Sequence, residues 1–225
     1  MGGDAAVRLL LLADTHLPRR ARELPAQVWA AVDAADVVVH AGDWVDAATV
    51  EALAARARRL VGVAGNNDGP DVRALVPAFA SFTAGGVRFG VVHETGAAAG
   101  RERRCDALHA GALDVLVFGH SHVPWDSTTA SGLRLLNPGS PTDRRRQPAC
   151  TYLTLTAAGG AVRDVVLHAL PPRPPQPRRT ATRASAPSAA SSVSGATPVI
   201  QSSTSTPSVA RARSSTWASS SRPGE

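Results

Sequence analysis

The chain has 225 residues, 44% of them apolar, enough for one domain with a sizeable core and an appendage. Its net charge of +6 resides after Leu170, where seven arginines face one acid; residues 1–170 carry 17 arginines and 17 acids, so the basic balance gives the folded part no call on nucleic acid. Two cysteines make no disulfide framework, and no apolar run approaches the ~18 residues of a membrane span, which sets aside the disulfide-rich secreted and membrane-spanning classes.

Residues 7–14, VRLLLLAD, form a continuous apolar run that stops at a carboxylate. The run is short and lacks the basic start and small-residue cleavage pattern of a signal peptide, so a cytoplasmic protein is expected. Residues 25–35 read as a helix with Pro25 near its start and Val28, Trp29 and Val32 on one face. Residues 36–43, DVVVHAGD, are a second strand. Residues 46–59 carry Val50, Leu53, Ala54 and Ala57 at helical spacing, with Asp46 as N-cap. A third strand runs over 59–68 and ends in polar residues; further strands follow at 87–94 and 114–120, with a helix between them around 98–110. Beyond 120 the pattern changes to strands at 125–130, 133–137, 150–157 and 162–169, separated by Gly and Pro turns.

Alternating strand and helix predicts a parallel sheet with helices outside, and the later run of strands predicts a mixed or second sheet. The expected fold is α/β: two sheets flanked by helices, occupying residues 1–170. Residues 171–225, rich in Ser, Thr, Ala, Pro and Arg, show no apolar periodicity and are expected to be disordered. Their PPRPPQP run reads as a linker more readily than as a polyproline ligand.

Five strand-like runs end in the same kind of residue: Asp14-Thr15-His16, Asp43, Asn66-Asn67-Asp68, His93, and His120-Ser121-His122. In open α/β sheets, ligand sites lie beyond the carboxyl ends of the strands, so all five ends can converge on one cleft. The candidate donors are Asp, Asn and His, with no thiolate, which favours a catalytic over a structural metal site. Asp-x-His and His-x-His each place two side chains on one side of an extended segment. Gly42, Gly65 and Gly119 are expected to allow tight turns beside the donors.

The motifs ADTH (13–16), HAGD (40–43), GNND (65–68), VVHE (91–94), GHSHVP (119–124) and NPGS (137–140) resemble those of the calcineurin-like metallophosphoesterase superfamily, and most closely its small branch of YfcE-like phosphodiesterases. The resemblance spans roughly residues 7–168. It implies a four-layer α/β/β/α sandwich of two mixed sheets. It also implies a dinuclear centre in which Asp14, His16 and His122 hold one ion, Asn66, His93 and His120 the other, and Asp43 bridges them. Mn2+ is the first expectation for both ions, with Ni2+, Zn2+, Fe2+ and Mg2+ as alternatives. The implied activity is hydrolysis of a phosphodiester by a hydroxide bridging the metals; a phosphomonoesterase using the same site and a non-catalytic scaffold on the same fold are the alternatives.

Two positions depart from the family pattern. Asn67 stands where many relatives carry a His that can protonate the leaving group, and Glu94 stands where Gly is usual. Asn67 and Asp68 are expected to hydrogen-bond the phosphate or orient a ligand. His40 reads as a satisfied core or supporting residue, and His109 and His168 as ordinary. The NPGS segment reads as a turn or, by the resemblance, as a cleft-lining loop. Arg144, Arg145 and Arg146 read as a solvated face or, alternatively, as a source of phosphate contacts. The expected partner is a phosphate-ester substrate, with no membrane and no nucleic acid for the folded domain; the oligomeric state stays open.

Overall fold

The computed structural model of the chain describes residues 5–172. The expected tail, 171–225, lies almost entirely outside the described residues. Ten strands and four helices follow one another as β1 (Val7–Leu12), α1 (Ala26–Ala34), β2 (Val37–His40), α2 (Ala47–Arg56), β3 (Leu60–Gly62), α3 (Pro70–Leu75), β4 (Phe79–Ala84), β5 (Val87–Val92), α4 (Arg101–His109), β6 (Val115–Val117), β7 (Trp125–Thr128), β8 (Arg134–Asn137), β9 (Thr151–Ala158) and β10 (Ala161–Ala169).

The strands form two five-stranded sheets, in the orders β10-β9-β1-β2-β3 and β4-β5-β6-β8-β7. Both are mixed. In the first, β1, β2 and β3 are parallel and β9 pairs antiparallel to β1. In the second, β5, β6 and β8 are parallel, with β4 and β7 antiparallel at the edges. Side-chain alternation assigns the layers. Leu9, Leu11, Val37 and Val39 pack between the sheets against Phe89, Val91, Val115 and Val117. Leu10, Leu12 and Val38 point the other way, onto Val28 and Val32 of α1, Val50 and Leu53 of α2 and Val72 of α3. Leu116 and Leu135 point away from the interlayer core toward Cys105 of α4. The result is the four-layer α/β/β/α sandwich.

Three details differ from the sequence reading. The first sheet is not a run of parallel strands continued through 87–120. It ends at β3 and is completed by the β9–β10 hairpin, while β5 and β6 belong to the second sheet. The third strand is three residues long rather than ten, because past Gly62 the chain leaves the ladder; the Ala64 amide donates to the Pro77 carbonyl. The helix α3 and edge strand β4 were not expected. α3 is only six residues long, and β4 leaves Phe79 44% exposed, so neither carries a long periodic signal. α2 is as read: the Asp46 side chain accepts from the Thr49 amide at 2.9 Å.

Candidate metal centre

Three loops from the first sheet and two from the second meet beyond the strand ends. The Asp14 amide donates to the Gly42 carbonyl (2.9 Å) and the His16 amide to the Asp43 carbonyl (3.0 Å), tying the loop after β1 to the loop after β2. The Gly119 amide donates to the His93 carbonyl (3.0 Å), and the His120 amide to Asp14 Oδ1 (3.1 Å), tying in the second sheet.

The donors are not presented from extended backbone, as the Asp-x-His and His-x-His spacings had suggested. Asp14, His16, Asp43, His120 and His122 all adopt left-handed conformations, with φ of +45° to +70°. Asp and His are among the residues that tolerate this region best. Gly42, at φ +87°, serves the turn as expected. Gly65 has a different reason. A Cβ there would lie 2.2 Å from Asp43 Oδ1, so the position is glycine to leave room for the carboxylate.

All seven expected metal donors come together in one line of contacts. His120 Nδ1 lies 2.9 Å from Asn66 Oδ1, which lies 2.9 Å from His93 Nε2. His93 Nε2 is 3.4 Å from Asp43 Oδ1, and Asp43 Oδ2 is 3.5 Å from His16 Nε2. His16 Nε2 lies 3.1 Å from His122 Nε2, itself 3.4 Å from Asp14 Oδ1. The Asp14–His16–His122 end is buried; Asn66 is exposed and His120 half-buried.

Supporting groups fix the ring orientations. His122 Nδ1 donates to the Asp143 carbonyl (2.6 Å) and His93 Nδ1 to the Ala41 carbonyl (2.7 Å), which leaves each Nε2 facing the cluster. His40 is buried, stacks on Trp44 and lies 3.1 Å from the Thr15 hydroxyl. Its Nδ1 accepts from the Gly42 amide (3.2 Å), so it is a supporting residue. Asn67 donates to both oxygens of Asp43, through its amide (2.8 Å) and its side chain (2.7 Å). Asp68 is buried and accepts from the amides of Asp43 (3.0 Å), Val45 (2.7 Å) and Gly65 (2.6 Å). It pins two donor loops together. His109 stacks near Phe79 and His168 on Tyr152, both away from the cluster.

The NPGS segment is more than a turn. Asn137 donates to the Gly119 carbonyl (2.8 Å) and Ser140 to the Asp14 carbonyl (2.7 Å). Thr142, which the motifs did not flag, donates to the Thr15 carbonyl (2.5 Å). These are backbone braces, and their sequence signal is only that small polar residues follow the motif.

The electrostatics favour a cation. Burial pushes the Asp14 carboxyl from 3.8 up to about 8. Asp43 is pushed up by burial too, yet His93 beside it and the Asn67 hydrogen bonds hold it below the usual carboxylate range. Burial pulls His122 down to about 4 and lowers His16, leaving both neutral. Burial would lower His93, but Asp43 and Asp14 raise it overall. Among the described residues, Asp14 Oδ2 is the buried polar side-chain atom left without a hydrogen bond, and such an orphan is costly. Two groups bring their donor atoms within 4.8 Å of one another: Asp14, His16 and His122, and Asp14, Asp43 and His93. These residues fit divalent metal by donor type, convergence and unmet hydrogen-bonding capacity.

Residues 7–160 match the family model described as the calcineurin-like phosphoesterase superfamily domain. The chain belongs to that superfamily. A probable metallophosphoesterase of Methanocaldococcus jannaschii is 33% identical over 145 residues, covering 63% of this chain and 71% of that protein. A second, from Methanothermobacter thermautotrophicus, is 34% identical over 134 residues, covering 59% and 76%. Among solved structures, a Thermotoga maritima protein is 35% identical with TM-score 0.59, covering 73% of this chain and 99% of that one. Vps29 of Chaetomium thermophilum matches with TM-score 0.60 at 19% identity, covering 73% and 100%, a likeness of fold alone. As a calcineurin-like phosphoesterase domain, the chain is a probable metal-dependent phosphoesterase.

Proposed function

We propose that the protein is a phosphodiesterase acting through a dinuclear metal centre, in which Asp14, His16 and His122 hold one ion, Asn66, His93 and His120 the other, and Asp43 serves both. The observation that carries this reading is the single line of seven O and N donors with the unsatisfied, buried Asp14 Oδ2 at its deep end. A scaffold has no need to keep every one of these donors, which weighs against a non-catalytic role.

When bound, two divalent ions supply an activated nucleophile and a clamp on the oxygens of an in-line displacement. The chain's own residues do the rest. The carbonyls of Asp143 and Ala41 hold His122 and His93 with Nε2 turned inward. Asn67 fixes both oxygens of Asp43 from one side. Having no imidazole, position 67 cannot deliver a proton to the leaving group, so esters with good leaving groups are preferred. The reading includes a reducing, cytoplasmic setting, since two cysteines in 225 residues make no disulfide framework. No helix among the described residues is long and apolar enough to cross a membrane.

The test is hydrolysis of bis(p-nitrophenyl) phosphate against p-nitrophenyl phosphate with Mn2+, Ni2+, Zn2+, Fe2+ or Mg2+, alongside elemental analysis. The expected result is metal-dependent cleavage favouring the diester, best with Mn2+, and about two ions per chain. Folded protein that binds almost no metal and cleaves neither ester sinks the reading; faster monoester cleavage reverses the substrate class.

A further inference from the structure

The loop after the NPGS segment holds an arginine whose surroundings no structural role explains. Arg145 adopts φ +46°, a left-handed conformation that a long L side chain rarely takes. Its own amide donates to Asp143 Oδ1 (3.3 Å), and the adjacent turn is closed by the Gln147 amide on the Arg144 carbonyl (2.7 Å). The side chain is exposed, and its Nη1 donates to the His120 carbonyl at 3.3 Å, a long contact to a neutral group on the rim of the centre.

Four other arginines around the centre are committed. Arg73 donates to the carbonyls of Asp68 and Gly65 behind the donor loops. Arg104 is wrapped by the carbonyls of Thr95, Ala97 and Ala99. Arg101 is buried between Phe118 and Trp125. Arg20 pairs with Asp143 at 3.2 Å. Among the described residues, no carboxylate lies within 4.0 Å of the Arg145 guanidinium. Its guanidinium instead lies beside His120, one of the donors of the centre. A cation left over at the mouth of a metal site repels the ions that the site collects. A phosphate group between them reverses the sign of that interaction, since it attracts both.

We propose that Arg145 is a substrate-binding residue that grips the non-bridging oxygens of the phosphate group, from the rim of the centre beside His120. A guanidinium presents two parallel N–H donors to a phosphate, which an ammonium cannot. The grip is stronger on the doubly charged phosphate of a monoester than on the singly charged phosphate of a diester, so Arg145 also sets the balance between the two substrates. This rests on the phosphoesterase reading of the same centre.

The experiment compares full-length, Mn2+-loaded wild type with Arg145→Ala, Arg145→Lys and Arg146→Ala. Arg146 is the exposed neighbour of equal charge and the control. Three quantities are measured: the dissociation constant for inorganic phosphate by titration calorimetry, kcat and KM on both nitrophenyl esters, and metal content. Arg145→Ala is expected to weaken phosphate binding about tenfold or more, to raise KM more than it lowers kcat, and to do so most for the monoester. Arg145→Lys recovers part of the loss, Arg146→Ala stays within about twofold of wild type, and metal content does not change. Phosphate affinity within about twofold of wild type in Arg145→Ala overturns the proposal. So does loss of metal together with phosphate affinity, which makes Arg145 a structural support, and so does wild type that binds no phosphate. If wild type hydrolyses neither ester but Arg145→Ala still weakens phosphate binding, the hydrolytic reading fails and the anion grip stands.

Discussion

Asp43 has both carboxylate oxygens engaged by one neighbour, Asn67, and faces His16 on one side and His93 on the other. Replacing it with Asn removes a negative charge from the place where two dications would repel. Asp43→Asn is expected to retain less than about a tenth of wild-type kcat/KM at saturating Mn2+, a loss above ~1.4 kcal/mol. Asn67→Ala leaves every donor in place and removes one charge-assisted hydrogen bond, so its loss is expected to be smaller. Asn67→His supplies a proton donor and is expected to raise the rate on poor leaving groups. Comparing the three variants by kcat/KM separates donor from positioning residue; equal losses in Asp43→Asn and Asn67→Ala would contradict the separation. Asp14 gives a pH signature. Its carboxyl, raised by burial from 3.8 to about 8, makes a contribution to metal-free stability that is complete below about pH 4 and lost as pH rises through about 8. Ions need the carboxylate, so proton and metal compete up to that pH. The gap in melting temperature between Mn2+-loaded and metal-free protein should therefore widen from about pH 6 to about pH 8.5; a flat gap argues against Asp14 as a ligand. The seven candidate donors were legible because each follows an apolar run and because their types are scarce there. The left-handed backbone of five of them was not, since φ leaves no mark on residue type when Asp and His both tolerate it.

At the scale of elements, Asp68 is the clamp between the loops after β2 and β3. It takes three amide protons inside the protein. Asp68→Ala strands those donors, at ~1–3 kcal/mol for each one left unsatisfied. Even at the lower end, about 3 kcal/mol for the three donors, the expected outcome is a melting temperature lower by roughly 6–12 °C, at ~2–4 °C per kcal/mol for a chain this size, together with reduced metal content. Unchanged stability by thermal denaturation would show that water replaces the clamp. Sequence alone did not reveal this role, because an acid after two asparagines looks as apt for substrate as for structure. Strands β1, β2 and β6 and helices α1 and α2 were legible, since long apolar runs and helical spacing announce them. α3, β4 and the pairing of β9 with β1 were not. Two are short or exposed, and the third is a long-range contact that local periodicity cannot encode.

At the scale of the molecule, the last described hydrogen bond of the chain is from the Leu170 amide to the Cys150 carbonyl (2.8 Å), with Leu170 buried under the first sheet. The boundary placed after residue 170 keeps that bond and removes seven arginines and one acid. Truncation there is expected to leave the melting temperature and hydrolysis rate near those of the full chain, while the protein loses its retention on a cation-exchange resin. A large fall in either stability or rate would place the boundary too early.

The centre draws Asp14, His16, Asp43 and Asn66 from one sheet and His93, His120 and His122 from the other. Ions bound there would act as rivets through two plates, fastened along one rim. Away from that rim the plates adhere through the hydrocarbon between them, around residues such as Phe82 and Val87, and through the Gly160 amide on the Gly85 carbonyl (2.8 Å). Cohesion of the sandwich would thus be divided in kind: permanent away from the rim, and at the rim reinforced by as much metal as the surroundings supply.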